Sequence, residues 1–177
     1  MKKSYITVKD ITITSIFAVI LFVQEQLLFF LPNITFTMLL IVLYSKKLGC
    51  FKTIFINFVY VLLDNLFNGS FNLLFVVFMF IGWSIVPILL NTIFKKVNNN
   101  ILLSLLGILF SFLYSWVLII PGCIVFNTDI ISYLKMDITW EVVMATSSFL
   151  TILFIYEPLS KLFDKILFLK EDKYIQS

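Results

Sequence analysis

The sequence predicts an all-α integral membrane protein, a single domain over residues 1–177 with six transmembrane helices and both termini in the cytoplasm. Three observations carry that expectation. Hydrophobic residues make up 61% of the chain and charged residues 13%, where a soluble domain carries about a quarter charged residues, and the mean hydropathy is +1.07. Six apolar segments lie between polar breaks, and a crossing takes roughly 20 apolar residues. The lysines, finally, fall almost entirely in the breaks that six crossings place on one side.

The first segment, 11–31, follows "MKK". It exceeds the apolar region of an export signal and no small-x-small cleavage site precedes "LPN", so it reads as a retained helix ending at Pro32. The second and third, 35–44 and 53–67, flank "SKKLGCFK" (45–52) and are short for full spans. The fourth, 73–94, follows "NGSFN" (68–72), and the fifth, 101–120, follows "KKVNNN" (95–100). "PGCIVFNTDIISYLKMD" (121–137) reads as an external loop before the sixth segment, 140–168. Only helices and closed barrels span bilayers, and these runs lack the alternation of a barrel strand.

With both ends inside, the cytoplasmic segments hold Lys2, Lys3, Lys9, Lys46, Lys47, Lys52, Lys95, Lys96, Lys161, Lys165, Lys170 and Lys173, leaving Lys135 outside. That is the positive-inside pattern. An odd number of crossings would scatter it, and the net charge of +3 then needs no nucleic-acid partner. Cys50 falls inside and Cys123 outside, so the topology forbids pairing them within one chain.

The chain contains no histidine and no arginine. His-based hydrolysis, His metal sites and guanidinium clamps for phosphate are therefore missing, as are Walker-type glycine loops. Neither a metal nor a cofactor is expected, and the chain reads as a binding, transport or scaffolding protein, not an enzyme.

The polar residues inside the apolar segments sort to one side. Glu25, between Gln24 and Gln26, lies in the outer half of the first segment, Asp64 and Asn65 near the outer end of the third, and Glu141 just inside the start of the sixth. Asn33, Asn68, Asn72 and Asn127 add amides at the same level. A charge at a helix centre costs about 2.5–3.5 kcal/mol on insertion scales, so such acids tend to face a cavity or a partner. An outward-facing polar pocket follows as the expectation. Asp64 and Glu141 are equally consistent with helix ends in contact with water, whereas Glu25 stands six residues before Pro32, roughly two turns below the interface. Trp116 and Trp140 suit interfacial anchors. Trp83, between Gly82 and Ser84, reads either as the floor of a ligand pocket or as interhelical packing.

"FLPNITFTMLLIVLYSKK" (30–47), "FVYVLLDNLFNGSF" (58–71), "GWSIVPILL" (82–90) and "WEVVMATSSFLTILFIYEPLSKLF" (140–163) occur in an order and spacing that resembles a substrate-binding S component of an energy-coupling factor (ECF) vitamin transporter. The resemblance implies a six-helix protein of the plasma membrane, of bacterial type, that captures a small polar micronutrient outside and docks on a membrane coupling subunit driven by two ATPases. Together with the polar pocket read from the sequence, it gives candidate substrate contacts at Glu25, Asn33, Asp64, Asn68, Trp83, Trp140, Glu141 and Met144. It also implies a coupling face on the first helix, where an Ala-x-x-x-Ala pattern of the family corresponds to Thr14-x-x-x-Ala18 with Ser15 beside it. At the start of the sixth segment Trp140, Glu141, Met144, Ala145, Ser148 and Phe149 stand where the family shows an acid, a histidine, an alanine and an asparagine; the histidine and asparagine have no counterpart. No particular vitamin is implied, and the lack of His and Arg ranks neutral or cationic ligands above phosphorylated ones. The stretch "LLDNLFNGS" is also similar to the rod-shape-determining membrane scaffolds, the alternative from a different class.

Overall fold

The computed structural model describes residues 8–68 and 71–175, with backbone only at 9, 10 and 166–175. Lys2 and Lys3, the side chains of Lys9, Lys170 and Lys173, and positions 69–70 lie outside the described residues. The described chain is helical throughout, without strands: α1 (Val8–Leu27), α2 (Thr37–Leu48), α3 (Cys50–Phe67), α4 (Leu73–Asn91), α5 (Asn100–Phe126) and α6 (Ile130–Ile175). Four of them, α3 to α6, are long and apolar enough to cross a membrane.

α2 departs furthest from a spanning helix. Its 12 residues rise roughly 18 Å, against a hydrocarbon layer of about 30 Å. Thr37 to Ser45 are all buried, and α2 contacts each of the other five helices. A helix that is apolar all round belongs in an interior, and α2 forms the axis of the bundle, with Ile41, Val42, Leu43 and Tyr44 essentially sealed from the surface.

The other differences from the sequence expectation lie at helix ends. α1 stops at Leu27, four residues before the predicted end. Its last turn tightens into three-residue bonds, Leu28 N–H to the Glu25 carbonyl at 3.1 Å and Leu31 N–H to that of Leu28 at 2.8 Å, because Pro32 biases the residue before it away from helical backbone. The predicted break at 45–52 shrinks to Gly49, whose φ of 85° and ψ of 173° reverse the chain in one residue; only glycine enters that region without strain. α5 runs through Pro121 to Phe126 instead of stopping at Ile120, and α6 begins at Ile130, ten residues before the predicted Trp140. A proline inside a helix costs one hydrogen bond without ending it where the surroundings compensate. Asn127 takes the left-handed conformation at φ 50°, Thr128 N–H closes on the Cys123 carbonyl at 3.2 Å, and Asp129 caps α6 by accepting the Ser132 amide at 3.0 Å. Asn in the left-handed position and Asp at an N-cap are what these turns favour. Bonds from the side chain and backbone of Ser132 hold the Asp129 carboxyl below the usual carboxylate range.

The helices alternate in direction, so the bundle has two unlike ends. Phe17, midway along α1, stacks on Phe163 in the second half of α6 at 4.7 Å, and Tyr44 of α2 lies against both rings. Lys47 pairs with Asp164 at 2.7 Å at one end of the bundle. Lys46 Nζ donates to the carbonyls of Phe94 and Lys95 just beyond α4, where a cation offsets the partial negative charge of a helix C-terminus. Lys135, near the start of α6, is at the opposite end.

Candidate functional site

The residues singled out from sequence separate into two groups at the end away from Lys46 and Lys47. The first group joins α1 to α3. The Tyr60 hydroxyl donates to Glu25, while Asp64 Oδ1 accepts from Asn68 at 2.8 Å and from Gln26 at 3.3 Å. Tyr60 and Asp64 stand one turn apart and so share a face of α3; that spacing is the signal by which Tyr60 could have been found from sequence. Gln24 is occupied nearby, accepting the Phe36 amide at 3.0 Å and donating to Thr37 Oγ1 at 2.7 Å. Its amide closes the start of α2, where Phe36 provides no side-chain cap. Glu25 and Asp64 are thus met by donors of the chain itself.

Trp83 lies in the wall between α3, α4 and α5. Its ring stacks on Tyr114 at 4.0 Å and 26°, and Gly82 makes room for that ring: a Cβ there would come 2.8 Å from Tyr114 Cδ2. Pro87 has no N–H to give the carbonyl four residues earlier, which is that of Trp83, and Asn57 Nδ2 supplies the missing donor at 2.9 Å. Asn57 Oδ1, Trp83 Nε1 and Ser84 Oγ remain buried without partners. Trp83 therefore packs between helices and is joined to the acids through α3.

The second group sits on the C-terminal half of α5 and the N-terminal half of α6. A cavity of about 520 Å³ opens between Phe112, Trp116 and Ile119 of α5 and Leu134, Lys135 and Glu141 of α6. Glu141 is 2% exposed, and its Oε1 has no hydrogen-bond partner. A second cavity, about 290 Å³, is lined by Phe126, Thr128, Tyr133, Met136, Asp137 and Trp140; Thr128 Oγ1 is buried and unpartnered. Gly122 lets the two helices approach here, since a Cβ would strike the Tyr133 ring. Tyr133, Thr128 and Asp137 lie in the stretch expected to be a loop, which concealed them.

Asn33, at φ 61°, ties the α1–α2 connection to this second group by donating to the Trp140 carbonyl at 3.1 Å. Met144, half-buried, lines neither cavity. Asn72 and Asn127 serve backbone ends, as the N-cap of α4 and the left-handed residue after α5. On α1, Thr14 and Ala18 are 4% and 0% exposed, enclosed by the chain's own packing, and Ser15 alone of the three faces outward. The small pair thus lets neighbouring helices of this chain approach.

No protein-family model matches the chain, and no curated protein or solved structure matches it.

Proposed function

We propose that this protein is the membrane-embedded substrate-capture subunit of an ECF-type transporter, crossing the plasma membrane of a bacterium six times and binding a small neutral or cationic micronutrient from outside. The observation that carries the reading is the contrast between the two ends of the bundle. Lys46, Lys47 and Lys161 line one end, as a cytoplasmic face does under the positive-inside rule. The acids there, Asp164 and Glu157, are paired with Lys47 and Lys161, whereas the other end holds Glu25, Asp64, Asp137 and Glu141 and both α5–α6 cavities, with Glu141 and Trp140 in their walls. The order of the sequence stretches supports the transporter class, and it is the resemblance alone that names ECF.

On this reading α1, apolar over Ile11–Leu27, crosses the bilayer, and α2 completes its crossing through connections buried in protein, where irregular backbone is tolerated. The coupling subunit would meet the outer surface of α1 around Ser15, Ile16 and Val19, which is exposed, and not Thr14 and Ala18 themselves. The test is purification from membranes under mild detergent, with mass spectrometry of both the proteins and the small molecules retained. Recovery of a transmembrane coupling subunit with two ATPases is the expected result. Recovery of cell-wall elongation proteins instead would replace the reading with the rod-shape scaffold.

A further inference from the structure

Among the described residues, Glu141 carries a buried carboxylate oxygen that no donor meets. It is buried to 2% exposure; the Trp116 side chain hydrogen-bonds the carboxylate but leaves Oε1 unmet, and the cavity it faces is walled by Phe112, Trp116, Ile119, Leu134 and Ile138. Buried polar atoms are almost always hydrogen-bonded, and a buried carboxylate oxygen without a donor is unfavourable in apolar surroundings. The chain's cation on this cavity is Lys135. It stands six residues earlier on α6, about 9 Å along the axis and roughly 120° around it. It sits at the edge of the same space and leaves Oε1 open.

The geometry points to a binding site in the α5–α6 cavity for an amphiphilic monoamine, its apolar body between Trp116 and Ile138 and its ammonium on Glu141. This deepens the proposed capture of a small molecule at the outer end and rests on that reading. Charge selects an ammonium over a neutral donor, because a charge-assisted bond to a carboxylate is about twice as strong as a neutral one. Glu141 is the acid on this cavity, Asp137 one turn earlier on α6 lines the adjoining one, and the ammonium of Lys135 offsets one of these two charges, which limits the ligand to one positive charge. The groove, about 520 Å³ and open on the side of Trp116, Ile131 and Ile138, is of the size of small-molecule pockets, and apolar walls with one placed polar group are their usual construction. An aminolipid headgroup and a free amine share this chemistry.

The test uses the purified full-length chain in phosphatidylcholine nanodiscs, with 4-phenylbutylamine as probe, 4-phenylbutanol as its uncharged counterpart, and tryptophan fluorescence as readout. The amine should bind saturably and about tenfold or more tighter than the alcohol, as a charge-assisted bond requires. Glu141→Gln should erase that preference, and Ile138→Phe, which fills the cavity while keeping the acid, should abolish binding of both probes. Adding phosphatidylethanolamine separates the sources: displacement of the probe assigns the site to an aminolipid, and no displacement to a free amine. Equal affinity for amine and alcohol, unchanged amine binding in Glu141→Gln, or no saturable signal from protein that is helical and monodisperse would each overturn the proposal. Because the isolated chain is used, such a failure leaves the copurification result standing, and the reverse holds too.

Discussion

At the scale of single residues, the most informative contact is the one between Asn57 and the Trp83 carbonyl. It repairs the gap left by Pro87 at a depth where water cannot. Asn57→Leu should therefore lower stability by about 1–3 kcal/mol, the cost of an unsatisfied buried acceptor. In a Pro87→Ala background, which restores a backbone donor, the same substitution should cost clearly less. Unfolding of the four proteins in detergent measures both, and equal cost in the two backgrounds would show that Asn57 acts elsewhere. Gly82 and Gly107 make a second contrast. Alanine at Gly82 pushes on a Tyr114 ring held in a stack, whereas alanine at Gly107 meets the end of the Ile152 side chain, at Cδ1. Gly82→Ala should lose about 1–3 kcal/mol through overpacking and Gly107→Ala less, read by the same unfolding assay; the opposite order would mean that the ring yields more easily than Ile152.

Among the elements, the α5–α6 hairpin depends on a turn of three residues, Asn127, Thr128 and Asp129, and on close packing below it. Ser111 and Ser148 bond across the two helices at 2.9 Å, and small residues at such an interface let the backbones approach. The Asp129 carboxyl is held below its usual range by its Ser132 bonds, which sets the sign of a pH effect. A group depressed on folding contributes stability above its unfolded pKa and loses it as pH falls through the folded value. Protection of the Ser132 amide from hydrogen exchange, measured against amides in the middle of α6, should therefore decline as the solution is acidified below the ordinary carboxylate range. Asp129→Asn keeps a capping side chain and should remove the pH dependence; a decline of the same size in that variant would assign the effect to another group. This turn was readable in "NTD" as an αL residue and a cap, but Pro121 and Gly122 argued locally for a stop, and packing of α5 on α6 overrode them.

For the whole molecule, the two cysteines report orientation. Cys50 begins α3 beside the lysine-bearing end and Cys123 lies in the last turn of α5 at the other, both half-buried. A membrane-impermeant maleimide applied to intact cells should label Cys123 and spare Cys50 until the membrane is opened, as detected by a mass shift. Labelling of Cys50 alone would invert the molecule and move the α5–α6 cavities to the cytoplasmic side.

What the sequence by itself determined was the solvent and the broad architecture: a chain with 13% charged residues and apolar runs between lysine clusters must form helices suited to a bilayer, with those clusters in alternate breaks between the runs. These properties are sums along the chain and do not depend on which helix meets which. The tertiary structure alone decided that α2 is an enclosed axis, that Glu25 and Asp64 are answered by Tyr60, Asn68 and Gln26, and that Glu141 is left facing a cavity. Each of those outcomes turns on rotation and register between helices far apart in sequence, and a shift of one residue on a helix swings a side chain by about 100°. Two acids that look alike in a hydropathy reading, Glu25 and Glu141, are thereby given opposite surroundings: one beside a tyrosine hydroxyl on α3, the other against apolar walls with an oxygen still unmet.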